Sequence, residues 1–174
     1  MRRGEIAAHR GASETALKSN IDKEVFMVYR LAEKRDSPEM CRIRKQQLID
    51  EGSTPQDGVD RAMTRFFEEK MADGSLVEWL LEDNGRIVAT AAILFMEFPP
   101  SFETPTGIRG YITNMYTAPE YRGKGIATAM LGRLMEEAKK RSVSRIWLGA
   151  STLGKPVYLR FGFREADYYL DLDL

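Results

Sequence analysis

The spacing of apolar residues along the chain predicts alternating strands and helices. Apolar and aromatic residues cluster from Val25 to Ala32, which favours a strand. A helix is predicted from Pro38 to Asp50, with the proline in its first turn, and a second from Thr54 to the break at Gly74, where apolar residues recur at helical spacing. The ordered part of the chain is therefore expected to begin with one strand and two helices.

The clearest local feature is a hairpin. The segments 75–82 and 86–98 are rich in apolar residues, and Asn84-Gly85 between them is a dipeptide favoured in tight two-residue turns. We expect two long antiparallel strands here. The following segment, 98–105, contains three prolines, so it is predicted to be a loop that could border a binding site.

The C-terminal half continues the alternation. Strands are predicted at Gly110–Thr117, Arg145–Ala150 and Phe163–Leu174, and helices at Ile126–Ala138 and Thr152–Phe161. Together with the first half, this order of elements predicts an α/β (α+β) domain with a mixed, mainly antiparallel sheet flanked by helices.

The first 24 residues differ from the rest of the chain. They are polar and carry no strong hydrophobic period, so we expect a mobile or loosely attached arm at 1–24 and one domain at 25–174. They also lack the apolar core of a secretory signal, and their acidic residues are unlike an organelle transit peptide. A cytoplasmic protein is the expectation.

Composition and charge exclude several classes of protein. Twenty-six basic and 26 acidic residues give a formal net charge of zero, so no general attraction to nucleic acid or to an acidic membrane is expected. One cysteine and one histidine cannot supply a typical zinc site or an intrachain disulfide. No apolar run approaches the roughly 20 residues of a membrane helix. We therefore expect no metal, no nucleic-acid partner and no membrane partner.

The segment richest in chemical information is Tyr121 to Thr128, which joins a predicted strand to a predicted helix. Gly123 and Gly125 allow the backbone to approach a ligand, and the first turn of a helix offers N–H groups without intrahelical partners at the positive end of its dipole. Arg122 and Lys124 add full positive charges. The turn therefore predicts a site for a diphosphate.

Two other phosphate-binding motifs fit this turn less well. No Walker-type string is present. The dinucleotide pattern fits only partly, because its sixth position is Thr128 and the next strand, Arg145–Ala150, ends without an acidic residue for a ribose. Nucleotide binding of another kind remains an alternative.

The turn and its surroundings resemble those of a known family. Arg122-x-x-Gly125-x-Ala127 is similar to the [Q/R]-x-x-G-x-[G/A] signature of the Gcn5-related N-acetyltransferases, the GNAT superfamily. The order around it also matches, with a strand before the turn, an amphipathic helix after it, and then a short helix that carries Tyr158 before Gly162-Phe163. The resemblance implies a GNAT-like sheet of about six to seven strands, flanked by about four helices.

The resemblance also implies a cofactor and residues that bind it. Acetyl-CoA would be the acetyl donor, with its diphosphate on the turn and its pantetheine arm lying as a pseudo-strand against the strand before the turn. The cofactor-binding residues implied in this way are Met115, Tyr116, Thr117, Arg122, Gly123, Lys124, Gly125, Ile126, Ala127, Thr128 and Ser151. A backbone N–H near Met115 would polarise the thioester carbonyl.

Acetyl transfer to an amine also needs an acid and a base. Tyr158 matches the family tyrosine that can protonate the departing thiolate, since a phenol with a pKa near 10 is protonated at neutral pH. Glu97 is the first candidate for the base and Glu103 the second, while Asn114 could order a water or the substrate. Each of these three residues could also be an ordinary strand-end or loop residue.

The predicted function is acetyl-CoA-dependent transfer of an acetyl group directly to a primary amine of a small molecule, by a monomer or a homodimer. Acidic residues in the segments expected to wall the acceptor pocket favour a cationic amine; they are Asp50, Glu51, Asp57, Glu97 and Glu103. The alternatives are a non-catalytic acyl-CoA-binding sensor or docking module, and an enzyme that transfers a longer acyl group.

Overall fold

A computed structural model of the chain describes residues 27–166 and residue 172. Nine helices and strands, with two short 3₁₀ turns, make up this part of the protein. In chain order they are β1 (Met27–Leu31), α1 (Ser37–Asp50), α2 (Val59–Ala72), β2 (Leu76–Asp83), β3 (Arg86–Glu97), β4 (Ile108–Thr117), α3 (Ile126–Lys140), β5 (Ile146–Leu148) and α4 (Lys155–Phe161).

The strands form one mixed sheet in the order β1-β2-β3-β4-β5. The pairs β1–β2, β2–β3 and β3–β4 are antiparallel, while β5 is parallel to β4. The predicted hairpin is confirmed: Asn84 and Gly85 have φ values of 49° and 82°, the left-handed conformation that a two-residue turn with this twist requires. The mainly antiparallel sheet and the four α-helices also agree with the prediction.

The predicted number of strands is too high for the part of the chain that the structure describes. It holds five strands rather than about six to seven. Residues 163–166 form no strand, and the rest of the predicted final strand lies outside the described residues, apart from residue 172. The predicted arm at 1–24 also lies outside them. Strand β5 has only three residues because its pairing with β4 stops at Leu148.

The core is divided between the two faces of the sheet, because successive side chains of a strand point to opposite sides. On one face α3 inserts its predicted apolar stripe, including Met130, Leu131 and Leu134, against Ile93 and Ile112. On the other face α1 and α2 cover the sheet, and the buried residues there are Met40, Cys41, Ile43, Phe67, Leu76, Leu80, Ile87 and Ala92. None of the helices between residues 27 and 166 has the length and apolar content needed to cross a bilayer.

Candidate functional site

Strands β4 and β5 separate before β4 ends. Their parallel pairing runs from Gly110 opposite Ile146 to Ile112 opposite Leu148, and then stops. Strand β4 continues to Thr117. Within residues 27–166, the last five residues of β4 therefore have no strand partner on the β5 side. This opening leaves a backbone edge free just before the turn that the sequence analysis predicts to bind a diphosphate.

A bulge interrupts β4 at the same point. On its β3 side, Thr113 pairs with Ala92 and Tyr116 with Thr90, so β4 contains one more residue than β3 between these pairs. Asn114, inside the bulge, has a φ of 51°, which is uncommon for a residue other than glycine. The Thr90 hydroxyl donates a hydrogen bond to the Asn114 carbonyl oxygen at 2.7 Å. Since a bulge bends its strand and increases its twist, this one redirects the free edge of β4.

The side chain of Asn114 points into the protein interior. Its Nδ2 donates to Glu78 Oε2 at 3.1 Å, and both residues are at most 5% exposed. Burial raises the pKa of the Glu78 carboxyl to about 8, opposed in part by the bond from Asn114. The sequence analysis did not identify Glu78. The available signal was a charged residue at an inward-facing position of β2, between the buried Leu76 and Leu80.

The predicted diphosphate turn is open to solvent. Gly123 and Gly125 both have a φ of 76°, and no heavy atom lies within 4 Å of the position that a Cβ would take on either glycine. Gly125 is the N-cap of α3, so the first N–H groups of a 15-residue helix emerge beside this open space. Ile126 is buried under the turn, while Thr128 remains exposed. Free N–H groups at the positive end of a helix dipole favour an anion in this space.

The charged side chains of the turn have partners inside the protein. The Arg122 guanidinium donates from Nη2 to Asp50 Oδ2 at 3.1 Å and from Nε to the Thr117 carbonyl oxygen at 2.9 Å. Lys124 Nζ lies 4.9 Å from the centre of the Tyr121 ring. The turn is therefore connected both to β4 before it and to the C-terminal end of α1.

Tyr158 is in α4, as predicted, and is 9% exposed. Burial raises the pKa of its hydroxyl to about 12, and the negative charge of Glu51 and the proximity of Tyr111 act in the same direction. A Cβ on Gly154 would lie 2.9 Å from the Tyr158 ring, so this position leaves no room for alanine. The Ser151 hydroxyl accepts a hydrogen bond from the Gly154 N–H at 3.2 Å, which supports the start of the helix.

The carboxylates proposed as bases lie in different places. Glu97 pairs with Ile108 at the far end of β3, five residues from Ala92, which is about 17 Å at the rise of a strand. Glu103 forms an ion pair with Arg145 at 3.0 Å. The structure thus brings neither Glu97 nor Glu103 to the bulge. Glu51, which directly follows α1, is the carboxylate whose charge raises the pKa of Tyr158, while Glu103 and Tyr158 both line one cavity.

Aromatic and cationic side chains from β4, from β5 and from the residue after β3 form a wall beside these strands. The ring of Tyr111 lies 5.3 Å from that of Trp147, which in turn lies 5.6 Å from that of Phe98. The guanidinium carbon of Arg109 lies 4.7 Å from the centre of the Phe98 ring. Arg109 Nε is buried and has no hydrogen-bond partner among the residues that the structure describes. Among residues 27–166, the Arg109 guanidinium of this wall forms no ion pair at 4 Å or less.

Comparison with known proteins gives one family. The model of the acetyltransferase (GNAT) family matches residues 39–163. A Clostridium acetobutylicum protein described as a predicted acetyltransferase, with a crystal structure containing acetyl-CoA, is 52% identical; the match covers 84% of this chain and 96% of that one, with a TM-score of 0.83. A GCN5-related N-acetyltransferase from Ralstonia eutropha is 26% identical over 85% of this chain and 98% of that one, with a TM-score of 0.79.

A curated relative is matched over a shorter stretch. The glucosamine 6-phosphate N-acetyltransferase of Trypanosoma brucei brucei is 29% identical over 93 residues, which are 53% of this chain. The match spans 61% of that relative, so part of its length has no counterpart in the alignment.

Proposed function

The chain belongs to the Gcn5-related N-acetyltransferase (GNAT) family, and on this premise we propose that it transfers the acetyl group of acetyl-CoA directly to a primary amine of a small molecule. The observation that carries the proposal is the free edge of β4, which leads into an open, glycine-containing turn at the N-terminus of α3. Separated strands followed by such a turn provide a place for an extended arm that ends in a diphosphate.

The proposed cofactor site uses backbone more than side chains. The diphosphate would accept hydrogen bonds from N–H groups between Arg122 and Thr128, and the pantetheine arm would lie along Met115 to Thr117, where β5 leaves the edge of β4 unpaired. Arg122 and Lys124 are positively charged and exposed beside the turn. Acetyl-CoA supplies the thioester; the protein's part is to hold it in the gap between the two strands.

In the proposed reaction, the amine nitrogen attacks the thioester carbonyl, so a C–N bond forms and the C–S bond breaks. An N–H near Met115 would stabilise the carbonyl oxygen. Tyr158 would donate its proton to the departing sulfur. Its raised pKa, about 12, keeps the phenol protonated throughout the neutral range, as a general acid requires.

We propose Glu51, rather than Glu97, as the carboxylate that receives the proton of the amine, directly or through water. Its charge acts on Tyr158, whereas Glu97 pairs with Ile108 at the far end of β3. The same carboxylate would attract the ammonium form of an incoming amine before the proton is lost.

The acceptor is proposed to carry an acidic group as well as an amine. Two of the acids that favoured a purely cationic acceptor are already paired, Asp50 with Arg122 and Glu103 with Arg145. Arg109, in contrast, is a stacked guanidinium with an unsatisfied Nε on the aromatic wall. A stacked guanidinium suits a carboxylate or a phosphate. The relative that acetylates glucosamine 6-phosphate makes this amino sugar the first compound to test.

The alternative is a domain that binds acyl-CoA without turnover. A direct test is the release of CoA thiol from acetyl-CoA in the presence of a panel of amines, with the unfolding temperature measured in parallel. An enzyme is expected to be stabilised by CoA and to release thiol with at least one amine. Stabilisation by CoA without release of thiol for any amine of the panel favours the domain that binds acyl-CoA without turnover. No stabilisation by CoA contradicts both proposals.

A further inference from the structure

Glu78 is a buried ionisable group for which the proposed reaction has no direct use. It is 3% exposed on β2, under α1 and α2, and Asn114 is the one hydrogen-bond partner of its carboxylate among the described residues. Removing a carboxylate from water is costly, so its presence here requires a reason. Its partner is the residue in the left-handed conformation at the bulge of β4.

The side-chain amide and the backbone carbonyl of Asn114 both form hydrogen bonds within the protein. Glu78 accepts from the side chain at 3.1 Å, and Thr90 donates to the backbone carbonyl at 2.7 Å. These two bonds come from different strands, β2 and β3, so they hold the bulge against the rest of the sheet from two positions. An uncommon backbone conformation persists only where its surroundings enforce it.

The bulge lies in the part of β4 that β5 leaves unpaired. Its conformation decides where the peptide groups of Met115 and the following residues point. In a paired strand the neighbouring strand would constrain those groups. Here the hydrogen bonds that join Asn114 to Glu78 on β2 and to Thr90 on β3 supply part of that constraint.

We propose that Glu78 is a positioning residue for acetyl transfer: through the side chain of Asn114 it holds the bulge of β4 in the shape that presents the strand's free edge to the thioester. This inference rests on the proposed function, since it assigns Glu78 to the same site. Glu78 touches neither the cofactor nor the acceptor in this arrangement, and it acts on the reaction only through Asn114.

The charge around Glu78 fits a structural hydrogen-bond acceptor better than a group that exchanges protons with substrate. Arg44 on α1 favours the ionised carboxylate, whereas Asp36, just before α1, disfavours it. Gln47 on the same helix is also buried, but its side chain bonds to Arg44 and Glu51. A neutral residue of the same shape can therefore replace Glu78 if it offers an oxygen to Asn114.

The test compares Glu78→Gln with Glu78→Leu in the full chain, using thiol release from acetyl-CoA and the unfolding temperature. Glu78→Gln keeps an oxygen opposite Asn114 and is expected to stay within about threefold of the wild-type kcat/KM. Glu78→Leu removes that oxygen but fills a similar volume, and replacing a buried charge by an apolar residue is often neutral or stabilising. We expect its kcat/KM to fall at least tenfold while its unfolding temperature changes little.

Asn114→Gly provides a second variant if Glu78→Leu does not fold. Glycine adopts the left-handed conformation without strain but loses the bond to Glu78, and we expect the same tenfold loss. Wild-type kcat/KM in either Glu78→Leu or Asn114→Gly overturns the inference, as does an equal loss in Glu78→Gln and Glu78→Leu. Failure of the wild type itself to release thiol would contradict the proposed function instead.

Discussion

Arg122, in the turn before α3, donates a hydrogen bond from Nη2 to Oδ2 of Asp50, the last residue of α1, at 3.1 Å. The two residues are 72 positions apart in the chain. The bond joins the segment proposed to bind the diphosphate to the helix directly followed by Glu51, whose charge acts on Tyr158. If the turn binds a diphosphate as proposed, the Asp50 carboxylate would compete with it for the charge of Arg122.

Asp50→Asn is therefore expected to tighten the binding of CoA. The pair is about one-third exposed on both sides, and such pairs contribute roughly 0.2–1 kcal/mol, so the gain in affinity should be at most about fivefold. Titration calorimetry at low and high salt measures it, and the gain should shrink as salt screens the charges. Asp60→Asn removes a carboxylate paired with Lys45 and serves as the control for net charge. Weaker binding by Asp50→Asn alone would contradict competition for Arg122.

Tyr158→Phe is expected to lower kcat by roughly 10²-fold, because the variant lacks the hydroxyl proposed as the general acid. Since the ring remains, binding of CoA should change little. Steady-state thiol release and CoA titration separate the two effects. Tyr29→Phe, which removes a hydroxyl from a tyrosine on β1, is the matched control. A Tyr158→Phe enzyme with normal kcat would remove this residue from the mechanism.

Gly125→Ala is expected to destabilise the protein by about 1–2 kcal/mol, because alanine must adopt a left-handed conformation there. No atom blocks the added methyl group, so the cost is conformational. Gly132→Ala, within α3 and also unobstructed, should instead stabilise by about 0.5–1 kcal/mol. Urea unfolding of both variants measures these changes in the free energy of unfolding. Equal effects at the two positions would show that the backbone conformation of Gly125 is not what limits substitution.

Glu78 is expected to make the protein less stable as the pH rises from about 4.5 to about 8. Its carboxyl ionises near pH 4.5 when unfolded but only near pH 8 when folded, so the folded state holds an extra proton across this range. The stabilising contribution is complete below pH 4.5 and lost above pH 8. In unfolding-temperature scans between pH 5 and pH 8.5, Glu78→Gln should show a smaller decrease than the wild type. Parallel curves would mean that Glu78 is ionised in the folded protein.

Arg109→Met is expected to lower kcat/KM more for acceptors that carry an acidic group than for acceptors without one. Loss of a charge-assisted hydrogen bond costs about 1.5–3 kcal/mol, so kcat/KM for glucosamine 6-phosphate should fall at least tenfold, if this compound is accepted, while that for glucosamine stays within twofold. Arg141→Met removes another stacked guanidinium, over Phe95, and is the control. An equal loss for both acceptors would contradict an anion-binding role for Arg109.

Local sequence patterns predicted much of the architecture and part of the candidate site. The turn at Asn84-Gly85, the apolar stripe of α3 and the short helix with Tyr158 each depend on residues close together in the chain, and each was predicted correctly. The glycines at 123 and 125 were predicted to let the backbone approach a ligand, and the structure adds that both have a positive φ. The length of β5 was not predictable in the same way, since β5 ends where its pairing with β4 stops rather than where its hydrophobic pattern stops.

The contacts between distant segments were decided by the tertiary structure. A bulge of one residue in β4 sets which side chains oppose each other, and it brings Asn114 to Glu78, 36 positions away. The packing of α1 on the sheet brings Asp50 to Arg122 and Glu51 towards Tyr158. By itself the sequence determined the order of the elements and the glycine-containing turn, because these follow from short-range periodicity and local backbone preference, and its motifs showed the resemblance to the family. Which carboxylates are buried, paired or near the tyrosine depends on strand register and helix docking, which short-range patterns do not encode.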